Sequence, residues 1–199
     1  MRTNRTITIT VTAGALALLT ACGATASNDA APAASATATA ATAATPSQAG
    51  FNDADVMFAQ MMIPHHEQAV EMAELAPDRA GDPQIKELAA RIKAAQDPEI
   101  ATMQGWLTTW GRPAPEGGMG HEMPGMMSEA DLAKLKSAKG AEFDRLFAEQ
   151  MIAHHKGAIE MARTEQAGGA DPAAKELAKT IETAQRAEVA ELRKILDRL

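Results

Sequence analysis

Residues 55–110 recur at residues 144–199, at a constant offset of 89 and without a gap, with 23 of 56 positions identical. The identities include Phe58/Phe147, Met62/Met151, Ile63/Ile152, His65/His154, His66/His155, Glu71/Glu160, Met72/Met161, Asp82/Asp171, Pro83/Pro172, Leu88/Leu177, Gln96/Gln185 and Glu99/Glu188. A unit this short buries little apolar surface alone, so two copies are expected to share one core about a pseudo-two-fold axis. Apolar residues recur at helical spacing, and aromatics are only 3%, with no Tyr, which disfavours strands. Each unit reads as a helical hairpin. The first helices are expected at about residues 53–76 and 141–166, the turns at 77–81 and 167–170. Asp82-Pro83 and Asp171-Pro172 are matched starts of the second helices, with Asp as N-cap and Pro at the first helical position. The expected fold is all-α, an up-down four-helix bundle of two tandem hairpins. Pro64 and Pro98 fall inside helical patterns, where kinked but continuous helices are expected.

The units are joined by residues 112–127, rich in Gly, Pro and Met. Ser128-Glu129-Ala130-Asp131 then resembles a capping box opening a short helix that ends near Gly140.

The chain opens with Arg2 and Arg5, a mostly apolar run from Ile7 to Leu19, and then Leu19-Thr20-Ala21-Cys22. This is the pattern of a secretory signal, residues 1–21, ending in a bacterial lipobox. Cys22 would then become the N-terminus and carry the lipid. Residues 22–50 are mostly Ala, Thr, Ser and Pro and are expected to form a disordered tether to the outer face of the membrane. The single Cys excludes a disulfide framework and a Cys-built metal cage. The net charge of −7 leaves no footprint for nucleic acid.

The chemistry-bearing residues lie on the apolar faces. On a helical wheel His65 and His66 flank the stripe of Phe58, Met62, Ala69 and Ala73. Met61 and Met72 lie beside His65, and Glu67, Glu71 and Glu74 take the opposite face. In the second unit His154 lies beside Met161 and Gln150, and His155 near Met151. Gln96, Glu99, Gln185 and Glu188 fall on the core side of the second helices, at a level from which they reach the histidine pairs and stand behind them. Buried His, Gln or Glu without a partner each cost about 1–3 kcal/mol, so these groups are expected to find one another or a metal. In the connector, Met119, His121, Met123, Met126 and Met127 have no core to fill by this reading. Thioether and imidazole donors suit Cu(I) and, by the same softness, Ag(I).

Residues 61–76, the Trp106…Trp110-Gly111 stretch, the Met/Gly connector and residues 142–162 closely resemble a bacterial family designated domain of unknown function 305. The resemblance spans about residues 51–199. It implies an exported, ferritin-like four-helix protein, and some Met-rich members are linked to copper binding and tolerance. By that resemblance His65, His66, His154 and His155 match the family's paired histidines, and no catalytic activity is implied.

The leading expectation is an extracytoplasmic lipoprotein, not an enzyme, that sequesters or passes on copper. The inner sites would lie between the first and third long helices, and the connector thioethers would capture or hand over the ion to an envelope partner. A ferritin-like di-iron oxidase needs Glu three residues before the histidines, where Met62 and Met151 stand. The remaining alternative is a bundle that binds another envelope protein, its polar layer fixing helix register.

Overall fold

The computed structural model describes residues 50–114 and 123–199, all within one compact unit, Ala44–Leu199. The expected signal peptide, Cys22, most of the tether, and Met119 and His121 lie outside the described residues. Among the described residues the protein is all-α, with five helices of nine residues or more and one four-residue helical turn. In chain order they are α1 (Asp53–Glu74), the turn α2 (Ala76–Arg79), α3 (Pro83–Thr109), α4 (Glu129–Ser137), α5 (Ala141–Gly168) and α6 (Pro172–Leu196).

Caps set the boundaries. Asn52 accepts from the N–H groups of Ala54 and Asp55, while the Asp55 carboxylate takes the Asn52 N–H. Asp82 and Asp171 cap α3 and α6, each followed by Pro, and Ser128 caps α4. Pro64 and Pro98 sit inside continuous helices. The first turn differs from expectation: residues 76–79 form a further helical turn, and α5 runs on to Gly168 through part of the expected second turn.

Within each hairpin the helices run antiparallel. Lys93 pairs with Glu74 and Arg112 with Asp53 between α3 and α1; Arg163 pairs with Glu182 between α5 and α6. The hairpins meet along α1 and α5, also antiparallel, and along α3 and α6, where Arg91 pairs with Glu191 and Arg198 with Asp82.

Asp55 and Asp144, equivalent in the repeat, lock the hairpins reciprocally. Asp144 of α5 accepts from Gly81 N–H and Asp82 N–H at the start of α3. Asp55 of α1 accepts from Ala170 N–H and Asp171 N–H at the start of α6. Each carboxylate therefore satisfies backbone donors of the other unit at a helix N-terminus, where negative charge is favoured. Burial raises the Asp144 carboxyl above its ordinary pKa despite those N–H groups. For Asp55 burial acts the same way, but the hydrogen bond with Glu165 and those from backbone N–H groups outweigh it and leave the carboxyl lowered.

Two apolar clusters fill the interior. One joins Met72, Ile85, Leu88, Ile92, Phe143, Phe147, Met151, Leu192 and Ile195; the other joins Phe58, Met62, Ile63, Met103, Met161 and Ile181. All four long helices pass from one cluster to the other, and on each the change falls at a polar layer: His65 and His66, Gln96 and Glu99, His154 and His155, Gln185 and Glu188.

Asp144→Ala is expected to lower stability by about 2 kcal/mol, the scale of hydrogen bonds to a charged acceptor whose donors are left buried. A urea denaturation midpoint measures this, and a loss below about 0.5 kcal/mol would contradict the reciprocal lock.

Candidate metal centre

All four layer histidines are completely buried. The rings of His65 on α1 and His154 on α5 lie with centroids 3.7 Å apart, tilted by 43°. The axis relating the two units thus runs between equivalent imidazoles. His66 and His155 turn toward the second helix of their own hairpin. His66 Nε2 lies 2.8 Å from Glu99 Oε2, so Nε2–H donates to the carboxylate. His155 Nε2 lies 2.7 Å from Glu188 Oε2, close to the oxygen but not aligned as a directed hydrogen bond.

His65 Nε2–H donates to the Pro124 carbonyl at 3.1 Å. His154 makes no aligned hydrogen bond at either nitrogen, although the His65 backbone carbonyl lies near the ring, and Nδ1 is unpartnered on all four rings. Gln96 is unpartnered at both side-chain polar atoms, and Gln185 at its oxygen. Burial drives the His65 pKa down to about 3, with the charge of His66 adding to the effect; burial, then His65, hold His154 well below its ordinary value. Both rings are neutral at physiological pH and are lone-pair donors inside an apolar interior.

The expected thioethers divide between the clusters on either side of the layer. Met72 and Met151 belong to one cluster, and Met62 and Met161 to the other, with Met61 packed on its margin. The connector departs from the expectation that its methionines have no core to fill. Met127 belongs to the first cluster and Met123 is buried, while Met126 is half-buried. The reason is a strap, residues 123–127, bound across α1 and α5. The amide of Gln68 holds it at Met127, donating to Met127 O at 3.0 Å and accepting from Met127 N–H at 2.7 Å. Gly157, the repeat counterpart of Gln68, leaves room for it: a Cβ there would overlap the Pro124 carbonyl. Gly125, at φ +81°, lies against the backbone of Ala153 and His154.

Sequence reasoning missed several residues. Gln68 and Gly157 are unlike in the repeat, and that difference was the available signal for an asymmetric strap. Glu165, buried beside Asp55, is likewise unmatched, since its counterpart is Ala76. Met57 lines a groove of about 240 Å³ with Met61, Met161 and Pro124. Among the described residues no group of three His, Cys, Asp or Glu side chains could hold a metal ion. An ion in the layer would rest on fewer imidazoles, completed by donors of other kinds.

Residues 55–196 match the family model described as Domain of unknown function (DUF305). The chain belongs to this family. A DUF305 fragment from Deinococcus radiodurans is 32% identical and superposes with a TM-score of 0.69, over 75% of this chain and 99% of that one. A DUF305 protein from Streptomyces coelicolor, described as secreted, is 31% identical with a TM-score of 0.68, over 73% and 93%. CopM in its Cu(II)-bound form is 35% identical with a TM-score of 0.65, over 72% and 96%, and CopM is also known in Cu(I)-bound and Ag-bound forms. No curated protein matches the chain.

The neutral histidines make stability pH-dependent. Below the unfolded His pKa of about 6.5 the unfolded chain takes up protons that buried His65 and His154 refuse. Folding stability therefore falls as pH drops, by about 1.4 kcal/mol per pH unit for each ring. Glu165, raised to about 8 mainly by burial, acts oppositely between its unfolded value and 8: above about pH 6.5 it alone makes stability rise as pH falls, and below about pH 6.5 it offsets about one of the two rings. Urea midpoints are expected to fall between about pH 6.5 and 5 in the parent, and not to fall over that range after His65→Leu with His154→Leu. Equal slopes would contradict the buried neutral pair.

Proposed function

We propose that this DUF305 protein is an extracytoplasmic copper-binding lipoprotein whose buried histidine layer takes up Cu(I), or Ag(I) in its place. The observation that carries the reading is His154, fully buried, without an aligned hydrogen bond at either nitrogen and set against the equivalent ring of His65, tilted to it by 43°. Each unpartnered buried nitrogen costs about 1–3 kcal/mol, and a polar layer left half satisfied is worse than an apolar one. A layer kept only to set helix register would be expected to pair internally. A soft cation accepts these lone pairs.

Charge favours a monovalent ion. The two central imidazoles are neutral, so an ion between them brings its full charge into a low-dielectric interior. Glu99 and Glu188, on the rims of the layer, supply countercharge. A d10 monovalent ion also accepts two donors in line, which suits a layer without three convergent side chains. Met62, Met72 and Met151 supply thioethers on either side, consistent with a thiophilic ion. Gln96 and Gln185 complete the layer. CopM, about a third identical to this chain, binds Cu(I), Cu(II) and Ag, which supports the same ligand class here.

The wider arrangement belongs to the same proposal. The antiparallel pairings α1–α3, α1–α5, α5–α6 and α3–α6 support an up-down four-helix bundle of ferritin-like kind. The sequence around Cys22 supports a lipid anchor, which would hold the domain at the outer face of the membrane. Nothing in the layer resembles a nucleophile with its base, and the role proposed is sequestration or transfer to an envelope partner, without catalysis.

Cu(I) titrated against a competing chromogenic chelator tests the reading. The parent chain is expected to hold Cu(I) tightly. Replacing His65 and His154 by Leu is expected to remove the buried site and weaken retention at least a hundredfold. Unchanged retention in that variant would overturn the proposal.

A further inference from the structure

On the outer side of the Pro124 strap, α1 and α5 enclose a groove of about 240 Å³, lined by Met57, Phe58, Met61, Met161, Glu165 and Pro124. Pro124 is common to the groove and the layer: its carbonyl accepts the hydrogen bond of His65 Nε2–H, and the residue lines the groove. Met57 and Met61 stand one helical turn apart and so share a face of α1; Met161 comes from α5.

Met57 is the anomaly. It is 60% exposed, the most open large apolar side chain among the described residues, and its repeat counterpart is Leu146. A thioether kept at an open position of an exported protein is an oxidation liability with no packing return. Glu165 is the second signal. It is 1% exposed, and its oxygens meet no N–H or hydroxyl donor. Its carboxyl faces Asp55, and burial first, then that neighbour, push it up to about 8. Asp55 itself is occupied with the amides of Ala170 and Asp171. Glu165 is therefore a buried carboxyl that lines the groove and that no N–H or hydroxyl donor satisfies.

We propose that this groove is a second, surface-accessible site for a soft monovalent cation, held by the thioethers of Met57, Met61 and Met161 with the Glu165 carboxylate beside them. It rests on the thiophilic reading of the chain but not on the histidine layer. Pro124, which lines the groove and accepts from His65, places the groove beside the buried layer.

The probe is Ag(I), titrated into the full-length protein in chloride-free buffer and followed by calorimetry. Three chains are compared: the parent, Met57→Leu/Met61→Leu/Met161→Leu, and His65→Leu/His154→Leu. Met-to-Leu exchanges conserve volume, and the melting temperature without silver checks that the fold is kept. The triple variant is expected to lose one equivalent of Ag(I), and the histidine variant to retain that equivalent. X-ray absorption of silver on the histidine variant is expected to show sulfur neighbours that the triple exchange removes. Should the triple variant perturb folding, Met57→Leu alone, at an exposed position, is expected to weaken one Ag(I) equivalent about tenfold. Parent stoichiometry and affinities in the Met variants would overturn the groove site, whatever the histidine variant does. Loss of an equivalent confined to the histidine variant would overturn it while leaving the buried site standing.

Discussion

Two uncharged imidazoles meet ring to ring where α1 and α5 run past one another, 3.7 Å between centroids, with no water-accessible surface on either. Such a contact is costly in an otherwise apolar interior, because ring nitrogens there lose their hydrogen bonds to water. The surrounding architecture offsets that cost by rigidity. Apolar clusters lie on both sides of the layer, and at each end a buried carboxylate of one unit holds the helix start of the other. The layer is thus set at the middle of the unit and cannot drain to the surface without separating both clusters.

The duplication explains why equivalent residues meet. An axis between α1 and α5 brings His65 opposite His154 and sends His66 and His155 outward toward Glu99 and Glu188. The strap breaks the symmetry. Gln68 grips its backbone on one side, Gly157 makes way for it on the other, and of the two central rings only His65 donates to the Pro124 carbonyl. The two central rings therefore differ: one is oriented by a hydrogen bond that fixes its tautomer, and the other makes no aligned hydrogen bond at either nitrogen. Asp55 and Asp144 diverge in the same way, since Glu165 stands beside the first and its repeat counterpart is Ala76.

Much of this was legible before any coordinates. The repeat, the helical period and the Asp-Pro starts located the long helices to within a few residues, because those signals are local. The wheel also placed Gln96, Glu99, Gln185 and Glu188 inward, since one turn of helix decides which face a residue takes. The pairing of His65 with His154 was not legible, because the repeat says which residues are equivalent but not which equivalent faces touch. The strap was hidden by its composition. Gly, Pro and Met read as a solvated loop, yet Met123 and Met127 are buried, because Gln68 and Gly157, far away in sequence, create their seat. Met57 and Glu165 escaped for the opposite reason: neither has a like partner in the other unit, so the repeat drew attention away from them.

A crystal soaked in silver, with anomalous differences collected, tests the central claim most directly. The account predicts a silver peak within bonding distance of His154 and His65 nitrogens, between the two clusters. Fully occupied silver sites elsewhere, with no density between those rings and the pair unmoved, would contradict it.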